Sequence, residues 1–312
     1  MKIAAVVVTY NRLEKLKNTL KFYSEITEGP DYLFVVNNNS SDGTGIYLSE
    51  WEKLKENFNK KVLTMNENLG GAGGFFYGCI EAMKYNPNWI LLADDDAYPD
   101  KNVIVNFKDY IQSNDAKKVS ALCSSVYKVD NTIDYGHRKF IKYKWWIRPV
   151  LIPSTTLDYK KEVFNIDLFS YVGVFLNVNV LREVGLCNPN FFIYYDDMEH
   201  SLRLGKVGKI LCIPSAKFVH DDGYGQAKAR EQYIMSWRDY YDIRNKIYVF
   251  LRHKPIVGIF WTLSRLFVCF NKYSRSLKCQ RLYLIAIFDG IRGKLGKHSK
   301  YKPGFSIIKS GS

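Results

Sequence analysis

Apolar runs alternate with amphipathic stretches through residues 1–93 of the chain. KIAAVVVTY is a continuous run rich in β-branched residues, as in strands that are buried on both faces. RLEKLKNTLKFYSEI follows it and spaces Leu13, Leu16, Leu20 and Tyr23 along one face of a helix. Three further strands are predicted at DYLFVVNN, KVLTMNE and NWILLA, with helices at IYLSEWEKLKENF and FYGCIEAMKY between them. The alternation predicts an α/β fold of Rossmann-like type, a mixed but mainly parallel sheet flanked by helices.

The pattern changes twice further along the chain. Between about 120 and 220 it predicts short strands at ALCSSVYKV and SYVGVFLNV, a helix near DDMEHSLRLGKVG and a strand at KILCI. From Trp237 onward, aromatic and aliphatic residues recur every three or four positions, which predicts helices. We therefore predict an α/β domain over residues 1–230 and a helical extension over residues 231–312.

Composition narrows the class of protein. A chain of 312 residues with 47% hydrophobic and 24% charged residues is typical of a folded protein, and it shows no internal repeat. Its six cysteines form no CxxC pair, and the N-terminus runs directly into a strand. Reduced cysteines in a cytoplasmic protein are therefore expected.

The net charge of +14 is concentrated near the end of the chain. From Trp237 to Ser312 there are sixteen Lys or Arg and three acidic residues, so this tail alone carries +13. A basic tail favours an anionic partner, either nucleic acid or an anionic membrane surface. Nucleic acid is disfavoured because no recognisable binding module accompanies the charge.

Two apolar segments of the tail, PIVGIFWTLSRLFVCF and LYLIAIF, are too short or too interrupted to span a bilayer. One interpretation is a pair of helices packed on the α/β domain with a solvated basic face. The other is an interfacial helix pair, with aromatic side chains among lipid headgroups and Lys or Arg over anionic lipid.

Polar residues follow the first, second and fourth predicted strands, at Tyr10 and Asn11, at Asn37 to Asp42, and at Asp94 to Asp96. Because the carboxyl ends of parallel strands meet at one edge of a sheet, where ligands collect, we expect these residues to form a site.

The stretch LLADDDAYPD places three carboxylates in succession behind a buried strand. A polar turn ended by Pro99 would account for them. A divalent cation beside a phosphate ester would do so as well, since it offsets the repulsion between like charges. Residues i and i+2 of an extended segment point to the same side, so Asp94 and Asp96 could share a metal while Asp95 points elsewhere.

Five motifs together resemble those of the inverting family 2 glycosyltransferases of GT-A fold: VVVTYNR, VVNNNSSDGT, ADDDA, YDDME and FVHDDG. They occur in the family's order between residue 1 and about residue 225. NLGGAGGF, DDME and the later His220 are more specifically similar to bacterial galactofuranosyltransferases, which use UDP-galactofuranose. Rhamnosyltransferases share some of these features.

The resemblance implies a role for each motif. Asp94, Asp96 and His220 would hold Mn²⁺ or Mg²⁺, and Asp197 would be the catalytic base. The residues implied in nucleotide or donor binding are Thr9, Asn11, Arg12, Asn37, Asp42, Asn68, Gly71, Gly74 and Asp95. The residues implied in acceptor binding are Gly173, Tyr195, Asp196 and Glu199.

The chemistry agrees with these residue types. A divalent cation stabilises the charge on a departing diphosphate, and manganese accepts imidazole as well as oxygen ligands. Inversion by single displacement needs one carboxylate to take the acceptor's hydroxyl proton. Structural alternatives remain for the same residues. His220 taken alone fits a structural role, and Asp196 could cap a helix whose dipole Asp197 or Glu199 would favour.

Some positions depart from the family pattern. Tyr195 stands where Trp is common, and Val172 and Val174 flank Gly173 where Trp is also common. Asn37 replaces a more usual Asp, so it can hydrogen-bond a uracil edge but carries no charge. NLGGAGGF lacks GKS or GKT and follows the third strand, which excludes a Walker loop and disfavours a dinucleotide fold. Its expected use is close backbone approach to the donor.

The function implied is transfer of galactofuranose to a lipid-linked glycan during synthesis of bacterial O-antigen (lipopolysaccharide), capsule or cell-wall galactan. The enzyme would be cytoplasmic and peripheral on the inner face of the plasma membrane. The alternatives are a rhamnosyltransferase using dTDP-rhamnose and another UDP-hexose transferase. A sugar nucleotidyltransferase would need a basic glycine-rich loop that VVVTYNR lacks, and a non-catalytic scaffold would be expected to lose the acidic motifs. Acceptor, linkage and oligomeric state stay open.

Overall fold

Fourteen strands and nine α-helices form within residues 1–113, 118–144, 148–221, 233–273 and 276–308, which the computed structural model describes. The strands are β1 (Ile3–Thr9), β2 (Tyr32–Asn37), β3 (Asn59–Thr64), β4 (Trp89–Asp94), β5 (Ala97–Pro99), β6 (Val119–Lys128), β7 (Arg138–Lys144), β8 (Arg148–Pro153), β9 (Phe164–Asn165), β10 (Leu168–Phe169), β11 (Val174–Asn177), β12 (Lys209–His220), β13 (Tyr233–Ser236) and β14 (Ser306–Ile308). The helices are α1 (Leu13–Ser24), α2 (Thr44–Trp51), α3 (Gly70–Met83), α4 (Val103–Ser113), α5 (Val178–Val184), α6 (Asp196–Leu204), α7 (Trp237–His253), α8 (Pro255–Lys272) and α9 (Leu277–Arg292).

A nine-stranded mixed sheet runs through the α/β part of the protein, in the order β3-β2-β1-β4-β11-β6-β12-β5, with β9 also paired to β12. Strands β1 to β4 are mutually parallel, and β6 is parallel to β12. Strand β11 runs antiparallel between β4 and β6. The predicted α/β fold with a mixed, mainly parallel sheet is therefore confirmed.

Strand β1 shows why the first apolar run forms a central strand. All of its residues are buried, and alternate side chains enter two separate cores. Ala5 and Val7 pack with helices α1 and α4, whereas Val6 and Val8 pack with α3 on the opposite face. The strand is covered on both sides, so an uninterrupted apolar sequence fits it.

Two predicted boundaries are wrong. The second helix was expected to continue to residue 58, but α2 ends at Trp51. Lys60 of β3 donates hydrogen bonds to the carbonyls of Trp51 and Leu54, each at 2.5 Å, which caps the end of α2. The glycine-rich stretch was expected to precede the third helix, but α3 already begins at Gly70.

The C-terminal helices α7 to α9 pack together with the β13–β14 pair around a core of their own. This core also takes in Phe192, which precedes α6. Among the described residues, no helix combines the length and apolar character needed to cross a membrane. The predicted domain boundary at 230 lies in residues 222–232, outside the described part of the chain.

Candidate active site

Asp94 to Asp96 lie at the carboxyl end of β4. Asp94 is the last residue of the strand, and Asp95 and Asp96 form the turn into β5. The extended geometry predicted for this segment is wrong, because the chain turns here to place β5 beside β12. Asp95 and Asp96 are buried, and Asp94 is half-buried.

Asp95 is held by the loop that follows β1. Its Oδ2 accepts a hydrogen bond from Thr9 Oγ1 at 2.7 Å, and its Oδ1 accepts one from Arg12 at 3.2 Å. Arg12 also donates to Asp96 Oδ2 at 2.5 Å. Burial raises the pKa of Asp95 to about 6, even with the guanidinium beside it. Thr9, Arg12 and Asp95, three of the predicted donor-site residues, thus form one network.

His220 lies beside the acidic turn. Its Nε2 is 3.5 Å from Asp96 Oδ1, because β12 ends next to β5. Burial opposes ionisation of Asp96, but the hydrogen bond from His220 and the charge of Arg12 lower its pKa. Burial and repulsion by Asp96 raise the pKa of Asp94. Ionisation is therefore disfavoured at Asp94 and favoured at Asp96 within the same acidic group.

The structure adds a second imidazole, His137, to this cluster. Its ring centroid is 4.9 Å from that of His220, and its Nε2 is 3.5 Å from Asp134 Oδ2. One ligand atom from each of Asp134, His137 and His220 lies within 4.8 Å of the others. The sequence offers one weak signal for this pair, an acid three residues before a histidine in DYGH.

The donor atoms of this cluster fit a divalent cation. Carboxylate oxygens suit magnesium and manganese, and imidazole nitrogen suits manganese. A cation here would favour ionisation of Asp94, whose pKa is raised by burial and by repulsion from Asp96. Of the predicted ligands, the structure brings His220 to 3.5 Å from Asp96. Among the described residues, the group whose ligand atoms all lie within 4.8 Å of one another contains His220 with Asp134 and His137, but not Asp94 or Asp96. A metal shared by Asp94, Asp96 and His220 therefore stays a prediction.

The loops after β1 and β2 are joined to each other. Asn11 N–H donates to Ser40 Oγ at 3.0 Å, and Leu13 N–H donates to Asp42 Oδ2 at 3.0 Å. Asn37 is buried, and its Oδ1 accepts from the N–H of Ser40 at 2.9 Å. These bonds fix the shape of the predicted nucleotide site. Direct contact of Asn11, Asn37 and Asp42 with a nucleotide stays a prediction.

The glycines of α3 serve different purposes. A Cβ on Gly74 would lie 2.4 Å from Val8 Cγ1, so this glycine lets α3 pack against β1. A Cβ on Gly71 would meet no atom of the described residues within 4 Å, so a ligand could approach its backbone there. Asn68 Oδ1 accepts from the N–H of Gly70 at 2.8 Å and fixes the start of the helix. Close approach to a donor thus remains an expectation for Gly71, whereas Gly74 has a packing role.

Asp196 and Asp197 begin α6. Asp197 lines a pocket of 260 Å³ together with Lys139 and His137. Burial raises the pKa of Asp197 to about 6. Burial and the neighbouring Asp197 raise the pKa of Asp196 well above its usual range, and the charge of Asp94 contributes as well. The charge of Asp94, at the end of β4, therefore acts on Asp196 at the start of α6.

Tyr195, rather than Asp196, is the N-cap residue of α6. Its backbone is left-handed with φ of 67°, and its hydroxyl donates to Asp242 Oδ1 at 3.1 Å. The capping role considered for Asp196 is therefore wrong, since Asp196 already lies within the helix. Tyr195 and Asp242 both line the pocket that contains Asp197.

Glu199 is turned toward the C-terminal helices. Arg203 Nε donates to both of its oxygens, at 2.8 and 3.0 Å, and His253 Nε2 lies 3.3 Å away. Burial alone would raise the pKa of Glu199. The hydrogen bonds from His253 and Arg203 outweigh it and lower this pKa to about 2. Glu199 thus joins α6 to α7.

Gly173 is required by packing. Its φ is +66°, and a Cβ would lie 2.5 Å from the ring of Phe218. The fully buried Arg138 donates to the carbonyl of Val172 at 2.6 Å and to that of Gly173 at 3.4 Å. The glycine therefore shapes the wall behind the site, and acceptor contact by Gly173 stays a prediction.

Residues 191–195, here called the α6 approach, have an unusual backbone. Phe192, Tyr194 and Tyr195 all have positive φ, between 66° and 68°, which is unfavourable for bulky side chains. Such a conformation persists only where the surrounding structure holds it.

Two buried residues of α7 hold the α6 approach. Asn245 Nδ2 donates to the carbonyls of Ile193 and Tyr194 at 2.8 and 2.9 Å. Arg244 donates to the carbonyl of Phe191 at 3.0 Å and to Asn245 Oδ1 at 2.8 Å. Neither residue was predicted; the sequence signal is a charged and an amide residue within the buried face of an aromatic helix.

A family model described as glycosyl transferase family 2 matches residues 4–184. Galactofuranosyltransferase GlfT1 of Mycolicibacterium smegmatis (strain ATCC 700084 / mc(2)155) is 35% identical over 229 residues, covering 72% of this chain and 73% of its own. The chain therefore belongs to glycosyl transferase family 2 and is a glycosyltransferase related to GlfT1.

Solved structures agree on the fold. The S. aureus TarS fragment 1–349 in complex with UDP superposes with a TM-score of 0.57 at 15% identity, covering 94% of this chain and 82% of that one. The mannosyltransferase PcManGT from Pyrobaculum calidifontis, in complex with GDP-Man and Mn²⁺, gives 0.55 at 13% identity, covering 94% and 88%. At these identities the likeness establishes the GT-A fold alone.

Proposed function

We propose that this family 2 glycosyltransferase is a metal-dependent, inverting galactofuranosyltransferase that uses UDP-galactofuranose. The observation that carries the proposal is that Asp197 shares its pocket with His137, whose ring centroid lies 4.9 Å from that of His220. His220 in turn lies 3.5 Å from Asp96 in the acidic turn. The relationship to GlfT1 supports the choice of donor.

Asp197 takes the proton of the acceptor hydroxyl as its oxygen bonds to the anomeric carbon. The bond from that carbon to the β-phosphate oxygen breaks, and UDP leaves with the electron pair. A pKa of about 6 keeps the Asp197 carboxylate ionised at neutral pH and still basic enough to accept a proton. Lys139, in the same pocket, lies near the charge on Asp197 and favours its ionised form.

Asp94, Asp96 and His220 would hold Mn²⁺ or Mg²⁺, as the Mn²⁺ complexes of neighbouring structures suggest. A cation held there would supply Lewis-acid stabilisation of the charge on the departing diphosphate. Arg12 donates hydrogen bonds to Asp95 and Asp96 and holds them in place, and its positive charge would favour a bound diphosphate. Asn11, Asn37 and Asp42 would hold the base and ribose in the joined loops after β1 and β2.

The acceptor proposed is a lipid-linked glycan of bacterial surface polysaccharide, with the enzyme on the inner face of the plasma membrane. The basic tail supports this location, since it matches an anionic membrane surface. A rhamnosyltransferase using dTDP-rhamnose, or a transferase of another UDP-hexose, keeps the same site and mechanism with a different donor.

Release of UDP or dTDP by the purified full chain with manganese tests the donor. We expect slow release from UDP-galactofuranose, none from UDP-galactopyranose or dTDP-rhamnose, and loss of release in EDTA. Release from dTDP-rhamnose alone would overturn the galactofuranose donor. Release that persists in EDTA after removal of bound metal would overturn the metal assignment.

A further inference from the structure

Helix α8 packs on its neighbours with one face only. Val257, Thr262 and Cys269 are buried against α7 and α9. The opposite face carries six apolar residues that are each more than half exposed, the apolar stripe: Ile256 (64%), Ile259 (53%), Phe260 (56%), Leu263 (57%), Phe267 (69%) and Phe270 (55%). Their spacing of three and four places them along one side of the helix.

A row of exposed apolar side chains is unusual for a helix face that is in contact with water. A helix that faces water normally exposes polar or charged residues opposite its buried face. The apolar stripe therefore has the character of a contact surface. None of the six belongs to a hydrophobic core cluster formed by the described residues.

The charges around the stripe indicate the kind of partner. Helix α8 contains no acidic residue, and Lys254 and Lys272 stand at its two ends. Beyond Lys272 a pocket of 1080 Å³ is also lined by Lys278, Arg281 and Lys300, and none of the described residues that line it is acidic. A second copy of the chain would bring the same positive charge to this surface, whereas anionic lipid would complement it.

We propose that the apolar stripe of α8 lies flat in the surface of an anionic phospholipid bilayer. Its phenylalanine, leucine and isoleucine side chains enter the region between headgroups and acyl chains, and the flanking lysines contact lipid phosphates. The inference rests on the proposed function for one point, that a lipid-linked acceptor would lie in the same membrane. It gives the basic tail a defined contact face.

Vesicle cosedimentation of the full chain tests the proposal without donor or metal. Binding is expected to vesicles of phosphatidylcholine with phosphatidylglycerol, to be weak with phosphatidylcholine alone, and to fall as salt rises. The double variant Phe260→Ser/Phe267→Ser should partition about tenfold more weakly or worse, because two apolar side chains leave the interface. Lys272→Glu should weaken binding to anionic vesicles but leave the weak binding to phosphatidylcholine vesicles unchanged.

The matched control is Ile46→Ser/Leu157→Ser, which removes two exposed apolar side chains (77% and 71%) from the α/β part of the protein. It should bind vesicles like the parent. Equal binding by the Phe260/Phe267 variant, or an equal loss in the control, would overturn the proposal. The proposal would also be overturned if light scattering showed that the parent is a dimer and the Phe260/Phe267 variant a monomer, since the stripe would then join two copies.

Release of UDP from the donor should be unchanged in the Phe260/Phe267 variant and in the control. This measurement separates failure of membrane docking from failure of the proposed function.

Discussion

The strand-end site, formed by the loops after β1, β2 and β4, and the α6 approach at residues 191–195 are held in place by different means. In the strand-end site, partners come from neighbouring parallel strands. The side chains of Thr9 and Arg12 donate hydrogen bonds to Asp95, and the backbone N–H of Asn11 donates one to Ser40 Oγ in the neighbouring loop. Here the topology of the sheet alone brings the residues together.

The α6 approach has no such sheet to order it. Its positive φ angles are stabilised by Arg244 and Asn245, which come from a helix about fifty residues later in the chain. The helical extension is therefore part of the machinery that positions Asp196 and Asp197. Nucleotide binding and base positioning should consequently respond to different mutations.

The largest effect expected is that of Asp197→Asn. Loss of the base should lower the rate of transfer by about 10² to 10⁴, while affinity for UDP with manganese stays unchanged, because the strand-end site is intact. Steady-state rates and calorimetric UDP binding measure the two quantities. Normal turnover in this variant would remove Asp197 from the role of base.

Asn245→Ala should damage the α6 approach alone. It leaves the carbonyls of Ile193 and Tyr194 without their donor, which costs about 1–3 kcal/mol of local stability. We expect a loss of about tenfold or more in turnover with UDP affinity unchanged. Asn106→Ala, which removes an exposed amide bond to the Ser215 carbonyl, is the matched control. An equal fall in UDP affinity would show that the two regions are coupled.

The pH dependence of transfer should carry the signature of Asp197. Its pKa is raised to about 6, so the basic form is present above that pH and is lost as the pH falls through it. The rate should fall about tenfold per pH unit below about 6. The residual rate of the Asp197→Asn variant should not show this fall at low pH. If the variant still shows it, the fall belongs to another titrating group.

Thr9→Val should have the smallest effect and act on the other region. It removes the 2.7 Å hydrogen bond to Asp95 and costs about 1 kcal/mol, or a few-fold in UDP affinity. The rate at saturating donor should change little, because the α6 approach is untouched. A fall in that rate larger than the fall in affinity would contradict the separation of the two regions.

Much of the strand-end site follows from the sequence. Each strand is an apolar run of its own, and the polar residues directly behind it are carried to the same edge by parallel pairing. The resemblance of five motifs then gave the family correctly. What failed was local geometry: the acidic segment turns instead of staying extended, and the glycine-rich stretch is helical.

The sequence by itself determined the α/β order, the family and the positions of the acidic motifs, because these depend on residues close together in the chain. Only the tertiary structure decided that Asp134 and His137 stand beside His220, and that Asn245 holds Tyr194, 51 residues earlier. It also decided that the six apolar side chains on the outer face of α8 are each more than half exposed. Contacts between distant segments depend on how whole elements pack, and no local pattern of hydrophobic and polar residues encodes them.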